Sequence, residues 1–111
     1  MKIAVVGSRN IQNIPLEDLI PPQCTEIVSG GARGVDTYAR EFAQAHGLTL
    51  TEFLPDYDRY GRSAPLKRND LIVAHADLVL AFWDGESRGT LYTIRQCRLQ
   101  KKPCRVFRLK K

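Results

Sequence analysis

Two stretches of the chain are apolar almost without interruption: Ile3-Ala4-Val5-Val6, which follows a single lysine, and Leu78-Val79-Leu80-Ala81-Phe82-Trp83. Runs of this length, bounded by turn residues, are the pattern of strands buried on both faces. Three weaker strand patterns accompany them. Glu26-Ile27-Val28 is a short apolar run ahead of a glycine cluster, residues 48–54 are rich in Thr and Leu and closed by Pro55, and residues 104–109 alternate basic and apolar side chains as an edge strand does. Between the strands, apolar positions recur at helical spacing. Residues 11–22 predict a short helix with Pro15 in its first turn and Leu16, Leu19 and Ile20 as its apolar side, stopped by Pro21-Pro22. Val35, Ala39, Phe42 and Ala43 predict a second helix ending at His46-Gly47, and Ala64-Pro65 opens a third that runs through Leu66, Asn69, Ile72 and Val73 to His75. Leu91, Ile94 and Cys97 mark the buried side of a last helix, which Lys101-Lys102-Pro103 ends. Residues 55–63 have no period and read as a loop.

Strands alternating with helices in this way predict one α/β domain over residues 1–111, a Rossmann-like, doubly wound parallel sheet of five strands with helices on both faces. The expected strand order is 3-2-1-4-5, and in such a sheet ligands bind beyond the carboxyl ends of the strands where the order reverses. Three polar, glycine-bearing loops would meet there: Gly7-Ser8-Arg9, the stretch from Ser29 to Gly34, and the stretch from Asp84 to Thr90.

The second of these loops, Ser29-Gly30-Gly31-Ala32-Arg33-Gly34-Val35-Asp36, leads from a strand into a helix. Its glycines let backbone approach a bound group, and the helix start offers free N–H donors, a combination that suits phosphate. The alternative is a tight strand-to-helix turn that binds nothing. Ser87, Gly89 and Thr90 form a second candidate anion site at the last helix start, where Ser87 serves as cap, as ligand or as both. Arg9, Arg33, Arg68 and Arg88 are candidates for bidentate phosphate contacts, although Arg88 also reads as a solvated charge. Asp36 falls in the first helical turn and is expected to orient the loop. Asp84, beside Gly85, is assigned to a ribose hydroxyl or base amine, and Glu86 is expected to be exposed. Trp83 and Tyr60 are either base-stacking groups or, for Trp83, core; His46 and His75 are read as caps of helix C-termini.

Composition narrows the partners. A formal charge of +5 and a pI near 9.4 favour acidic partners such as nucleotides or nucleic acid, though charge also serves solubility. Lys101, Lys102, Lys110 and Lys111 read as a solvated face. Arg9, Arg33, Arg62, Lys67, Arg68 and Arg88 fall beside loops and helix starts and have the stronger claim on function. Cys24, Cys97 and Cys104 show no paired or zinc-type spacing, so reduced thiols and no metal are expected. No apolar run is long enough to span a membrane and the first residues are too short for a signal segment, which predicts a cytoplasmic protein.

Four motifs in order, Val6-Gly7-Ser8-Arg9, the stretch from Ser29 to Asp36, Lys67-Arg68-Asn69, and the stretch from Phe82 to Thr90, resemble the SLOG group of Rossmann-like domains, in particular its small YspA-type branch. That group includes the cytokinin-activating LOG enzymes and the Rossmann domain of DNA-processing protein A. The resemblance covers nearly the whole chain and implies a site for a nucleotide or nucleotide-derived molecule, with Arg68 matching the family's phosphate-holding arginine. It also implies pairing into a homodimer or larger homo-oligomer. The departures bear on chemistry. LOG enzymes carry a glutamate three residues after a Gly-Thr pair, whereas Gly89-Thr90 is followed by Leu91-Tyr92-Thr93, and a threonine is no general acid or base near neutral pH. No catalytic residue is therefore assigned, and the expected function is binding of a nucleoside monophosphate or an NAD-derived or ADP-ribose-like ligand by a sensor, carrier or sequestering protein. The alternatives are N-glycosidic hydrolysis with Asp84 or Glu86 replacing the missing glutamate, and single-stranded nucleic acid binding.

Overall fold

The computed structural model describes residues 1–31 and 34–109. In chain order the elements are β1 (Lys2–Gly7), α1 (Leu16–Leu19), β2 (Glu26–Ser29), α2 (Val35–Ala45), β3 (Thr49–Glu52), α3 (Tyr57–Tyr60) with a 3-10 turn at Gly61–Ser63, α4 (Ala64–His75), β4 (Leu78–Trp83), α5 (Arg88–Leu99) and β5 (Cys104–Arg108). The five strands form one all-parallel sheet in the order β3-β2-β1-β4-β5, the order that the hydrophobic pattern predicts.

The uninterrupted apolar runs are explained by where their alternate side chains go. Ile3 and Val5 of β1, with Leu78, Leu80 and Phe82 of β4, point to one face and pack with Val35, Ala39 and Ala43 of α2 and Leu16 of α1. Ala4 and Val6, with Val79 and Ala81, point to the other and pack with Ile72 and Val73 of α4 and Cys97 of α5. Both faces are covered, so neither strand has a polar side. The edge strand β5 joins through Phe107, whose ring stacks on Phe82 at 5.0 Å between centroids.

Four local expectations change. The helix in residues 11–22 shrinks to the single turn of α1, because Ile11 and Ile14 are drawn into the core and Asn13 between them takes a left-handed backbone, φ 59°. Pro15 precedes the turn rather than lying in it, and extended Ile20 closes it ahead of Pro21. β3 stops at Glu52, because its partner β2 has only four residues to pair with. The stretch 55–63 is not a plain loop, since Asp56 Oδ1 accepts a hydrogen bond from the Arg59 N–H at 3.1 Å and caps α3. His46 and His75 do not cap carbonyls with their side chains. His46 Nε2 meets Glu17 at 2.8 Å, and His75 Nε2 meets Glu26 Oε2 at 2.6 Å, so each ring ties its helix end to a carboxylate on another element.

The amino end of β1 is pinned to the α4–β4 turn by a reciprocal pair: the Lys2 N–H donates to Asp77 Oδ2 at 2.8 Å and the Asp77 N–H to the Lys2 carbonyl at 2.7 Å. The bond from the Lys2 backbone holds the Asp77 carboxyl below its ordinary value, with the Lys2 and N-terminal charges acting the same way. A depressed carboxylate contributes stability that is present above the unfolded-state pKa and lost as pH falls through the folded one. Urea unfolding midpoints across an acid titration should therefore drop more steeply below the ordinary carboxylate range in the native chain than in Asp77→Asn. Parallel curves would show that Asp77 contributes nothing to the acid limb.

Candidate functional site

Beyond the carboxyl ends of β1, β2 and β4 the chain encloses a cleft of about 460 Å³. Its walls follow from the topology. The loop after β1 supplies Gly7, Ser8, Arg9 and Asn10, the end of β2 supplies Gly30, the first turn of α2 supplies Asp36, and the β4–α5 loop supplies Asp84, Glu86, Ser87, Gly89 and Thr90. α4 closes the side with Pro65, Leu66, Arg68, Asn69 and Ile72, while Val6 and Thr93 complete the lining.

Most of the expected site residues thus come together: Gly7, Ser8, Arg9, Gly30, Arg68, Asn69, Asp84, Ser87, Gly89, Thr90 and Asp36 share one cleft. Ser29, Gly31, Gly34, Gly85 and Arg88 do not line it. Ser29 is fully buried and its Oγ accepts from the Gly31 N–H at 3.3 Å, which shapes the loop from beneath. Gly31 lies against Leu54, and Gly85 against the Arg108 guanidinium. Arg88 is exposed at the start of α5. Arg33 lies outside the described residues.

The glycine loop after β2 is built around neighbours on other elements. A Cβ on Gly30 would collide with the Arg68 guanidinium, whose Nη1 donates to the Gly30 carbonyl at 2.7 Å and, more weakly, to that of Phe53 at 3.4 Å. Gly34 has a φ of 75°, and a Cβ there would stand 2.5 Å from the Arg9 carbonyl oxygen. These glycines therefore let the loop seat against Arg68 and the Arg9 backbone, so that one turn brings two arginines to the cleft.

The opposite wall is shaped by hydrogen bonds from polar side chains. Asp84 lines the cleft, and its Oδ1 accepts from the N–H groups of Glu86 and Ser87, both at 2.8 Å, so this oxygen folds its own loop. Buried Ser8 bridges the first and last loops: its N–H donates to the Phe82 carbonyl at 3.0 Å and its Oγ accepts from the Asp84 N–H at 3.2 Å. Ser87 is the N-cap of α5, accepting from the Thr90 N–H at 3.3 Å. Trp83 acts from behind the loop, donating its indole N–H to the Ser87 carbonyl at 3.0 Å while Arg108 lies over its ring, and Tyr60 pairs with Arg59 away from the cleft. Neither aromatic lines the cleft. Glu86 is exposed, as expected, yet stands at the rim.

Charge inside the cleft is uneven. Burial pulls the Arg68 guanidinium below its ordinary range, the nearby Asp36 carboxylate works against that shift, and the Arg9 charge adds to it. Two guanidinium groups that disfavour one another at a shared cleft are both stabilised by an anion placed between them. The first turn of α5 adds the Gly89 N–H, and among the described residues outside that stretch of helix no atom lies within 4 Å of where a Cβ on Gly89 would project.

Sequence reading missed Val6, Asn10, Pro65, Leu66, Ile72 and Thr93. Helical spacing carries the signal for several of them, since Pro65 and Ile72 flank Asn69 by four and three residues and Thr93 follows Gly89 by four. Thr93 itself is buried and donates to the Gly89 carbonyl at 3.1 Å, so its hydroxyl is engaged in the packing of α5.

Among the described residues no group of His, Cys, Asp or Glu side chains is arranged to hold a metal ion, and no helix is long and apolar enough to cross a membrane. The cysteines are free thiols. The chain is 37% identical over 76 residues to the Gene 61 protein of Mycobacterium phage D29, a match covering 63% of this chain and 61% of that protein, whose name states no activity. The chain thus spans less than two thirds of that relative's length. No family model and no solved structure matches.

Gly34→Ala tests the loop geometry: a side chain at positive φ against the Arg9 carbonyl should lower unfolding free energy by more than about 1 kcal/mol. Equal urea midpoints for the variant and the native chain would show that the loop adapts without strain.

Proposed function

We propose that the cleft binds a nucleotide or nucleotide-derived molecule through its phosphate and releases it unchanged, so that the protein acts as a sensor, carrier or sequestering protein of the SLOG type. The observation that carries this reading is the meeting of Arg9, Arg68 and the capped amino end of α5 around one cleft at the switch in strand order. The cleft has the volume of a small-molecule site. Arg68 uses Nε and Nη1 for backbone carbonyls, and the rest of its fork, with Arg9, takes phosphate oxygens. The Gly89 N–H at the start of α5, with the Ser87 and Thr90 hydroxyls beside it, then faces the same anion. A nucleoside monophosphate, ADP-ribose and an NAD-derived fragment all present such a group. The assignment puts the protein in the cytoplasm, where these ligands and free thiols occur, and a homodimer accords with the same resemblance.

Release without cleavage is supported by two features of the wall. Thr93 stands where a general acid or base is wanted, and Asp84 already serves two loop N–H groups. Hydrolysis of an N-glycosidic bond would show as free base on chromatography after incubation with nucleoside monophosphates, and none is expected.

Gly89→Glu separates binding from folding. A carboxylate in the first turn of α5 favours the helix dipole, so thermal stability should be kept or raised, whereas the projecting charge should weaken nucleotide binding at least about tenfold. Calorimetry against a panel of nucleoside monophosphates, ADP-ribose and NAD checks both. Failure of the native chain to bind any member, or unchanged affinity in the variant, overturns the assignment.

A further inference from the structure

The charge of the chain is divided along its length rather than mixed. Nine of its seventeen basic residues, and none of its twelve acidic ones, lie in the last 25 positions, so residues 1–86 are net acidic. α5 and β5 occupy most of that segment and pack against each other. Thr90, Thr93 and Cys97 face inward from α5, while Arg88, Arg95 and Arg98 are exposed at spacings of seven and three, which puts them on one helical face. At 1.5 Å per residue, the twelve residues of α5 extend this face over about 18 Å. Exposed Lys101 continues it past the helix end, and Arg105 and Arg108 follow on β5. Arg108 shares the α5 side of the sheet with Trp83, whereas Arg105 pairs in register with Leu80 and points to the other face, so the charges wrap the sheet edge. None of these six groups is in an ion pair with a described residue. Lys102 is set apart, its Nζ donating to the Ala76 carbonyl.

We propose that the outer face of α5 and the adjoining β5 edge bind the phosphodiester backbone of a nucleic acid, at a surface separate from the cleft. Charges on an edge strand also guard against strand addition, which accounts for Arg105 and Arg108 but not for three arginines on a helix. A surface charged only for solubility interleaves both signs, and here one sign is missing over 25 residues. Five of the six exposed groups are arginines, whose forks fit phosphate oxygens. An anionic membrane fits less well, because α5 directs its inner face into the domain and leaves Leu99 as its one strongly exposed apolar residue. The contact is with backbone phosphate and is therefore indifferent to base sequence.

Fluorescence anisotropy with a labelled single strand of about 20 nucleotides and its duplex, titrated from about 50 mM salt upward, measures this contact. Affinity should fall linearly on a log–log plot. Combined Arg95→Glu, Arg98→Glu and Arg105→Glu should weaken binding at least about tenfold at the lowest salt, with an unchanged thermal midpoint. The neutral triple Arg95→Gln, Arg98→Gln and Arg105→Gln should make the salt slope shallower by about 2–3, the loss of three phosphate contacts. A single strand bound more tightly than the duplex, or the reverse, identifies the preferred form and supports the surface either way. Absence of salt-dependent binding to both oligonucleotides, retention of native affinity and slope by both triple variants, or preference for phosphatidylserine vesicles over either oligonucleotide overturns the proposal.

Discussion

β1 is hydrogen-bonded along both of its edges, to β2 from Lys2 through Ala4 and to β4 from Ile3 through Gly7, and both neighbours run parallel to it. Parallel neighbours cannot be joined by a tight turn, so each connection crosses over a face of the sheet, and a right-handed crossover to one side of β1 lies on the opposite face from a crossover to its other side. That constraint puts α1 and α2 on one layer and α4 and α5 on the other, and parts the chain above β1. The cleft occupies the gap. Its position is a consequence of strand order and would exist whatever residues lined it.

What lines it decides its chemistry, and the loops do so by leaning on one another. Ser8 joins the β1 loop to the β4 loop, Gly34 seats against the Arg9 backbone, and Arg68 reaches from α4 to the carbonyl of Gly30. The glycine cluster that stands out in the sequence is shaped chiefly by these neighbours. It shapes the cleft through the arginines it positions, since of its three glycines only Gly30 lines the cleft. Arg68 has a double part for the same reason: the carbonyls of Gly30 and Phe53 satisfy donors of its half-buried guanidinium, and the same partners orient it at the cleft.

Much of the fold was legible in residue order. The apolar runs at β1 and β4, the helical periods of α2, α4 and α5 and the turn residues between them led to the sheet order and to three converging loops. The misreadings share a cause. In residues 11–22 the helical pattern holds only for the turn at Leu16–Leu19, because Ile11 and Ile14 pack into the core with β1, β4 and α2 from chain that is not helical. In residues 55–63, the absence of a period hid a turn that a single aspartate cap holds. His46 and His75 looked like local caps because Glu17 and Glu26, their partners, are remote in sequence.

The sequence by itself determined the alternation of strands and helices, the two-sided burial of the central strands, the anion-favouring residue types at the loops and the segregation of positive charge into the last segment. These depend on the kind and spacing of neighbouring residues, which a linear pattern carries. Tertiary structure alone decided that Arg68 braces Gly30, that Pro65, Leu66 and Ile72 wall the cleft and that α5 and β5 share one basic edge. Each of these joins groups on different elements, and a contact across the fold exists only once the sheet has set which elements are neighbours.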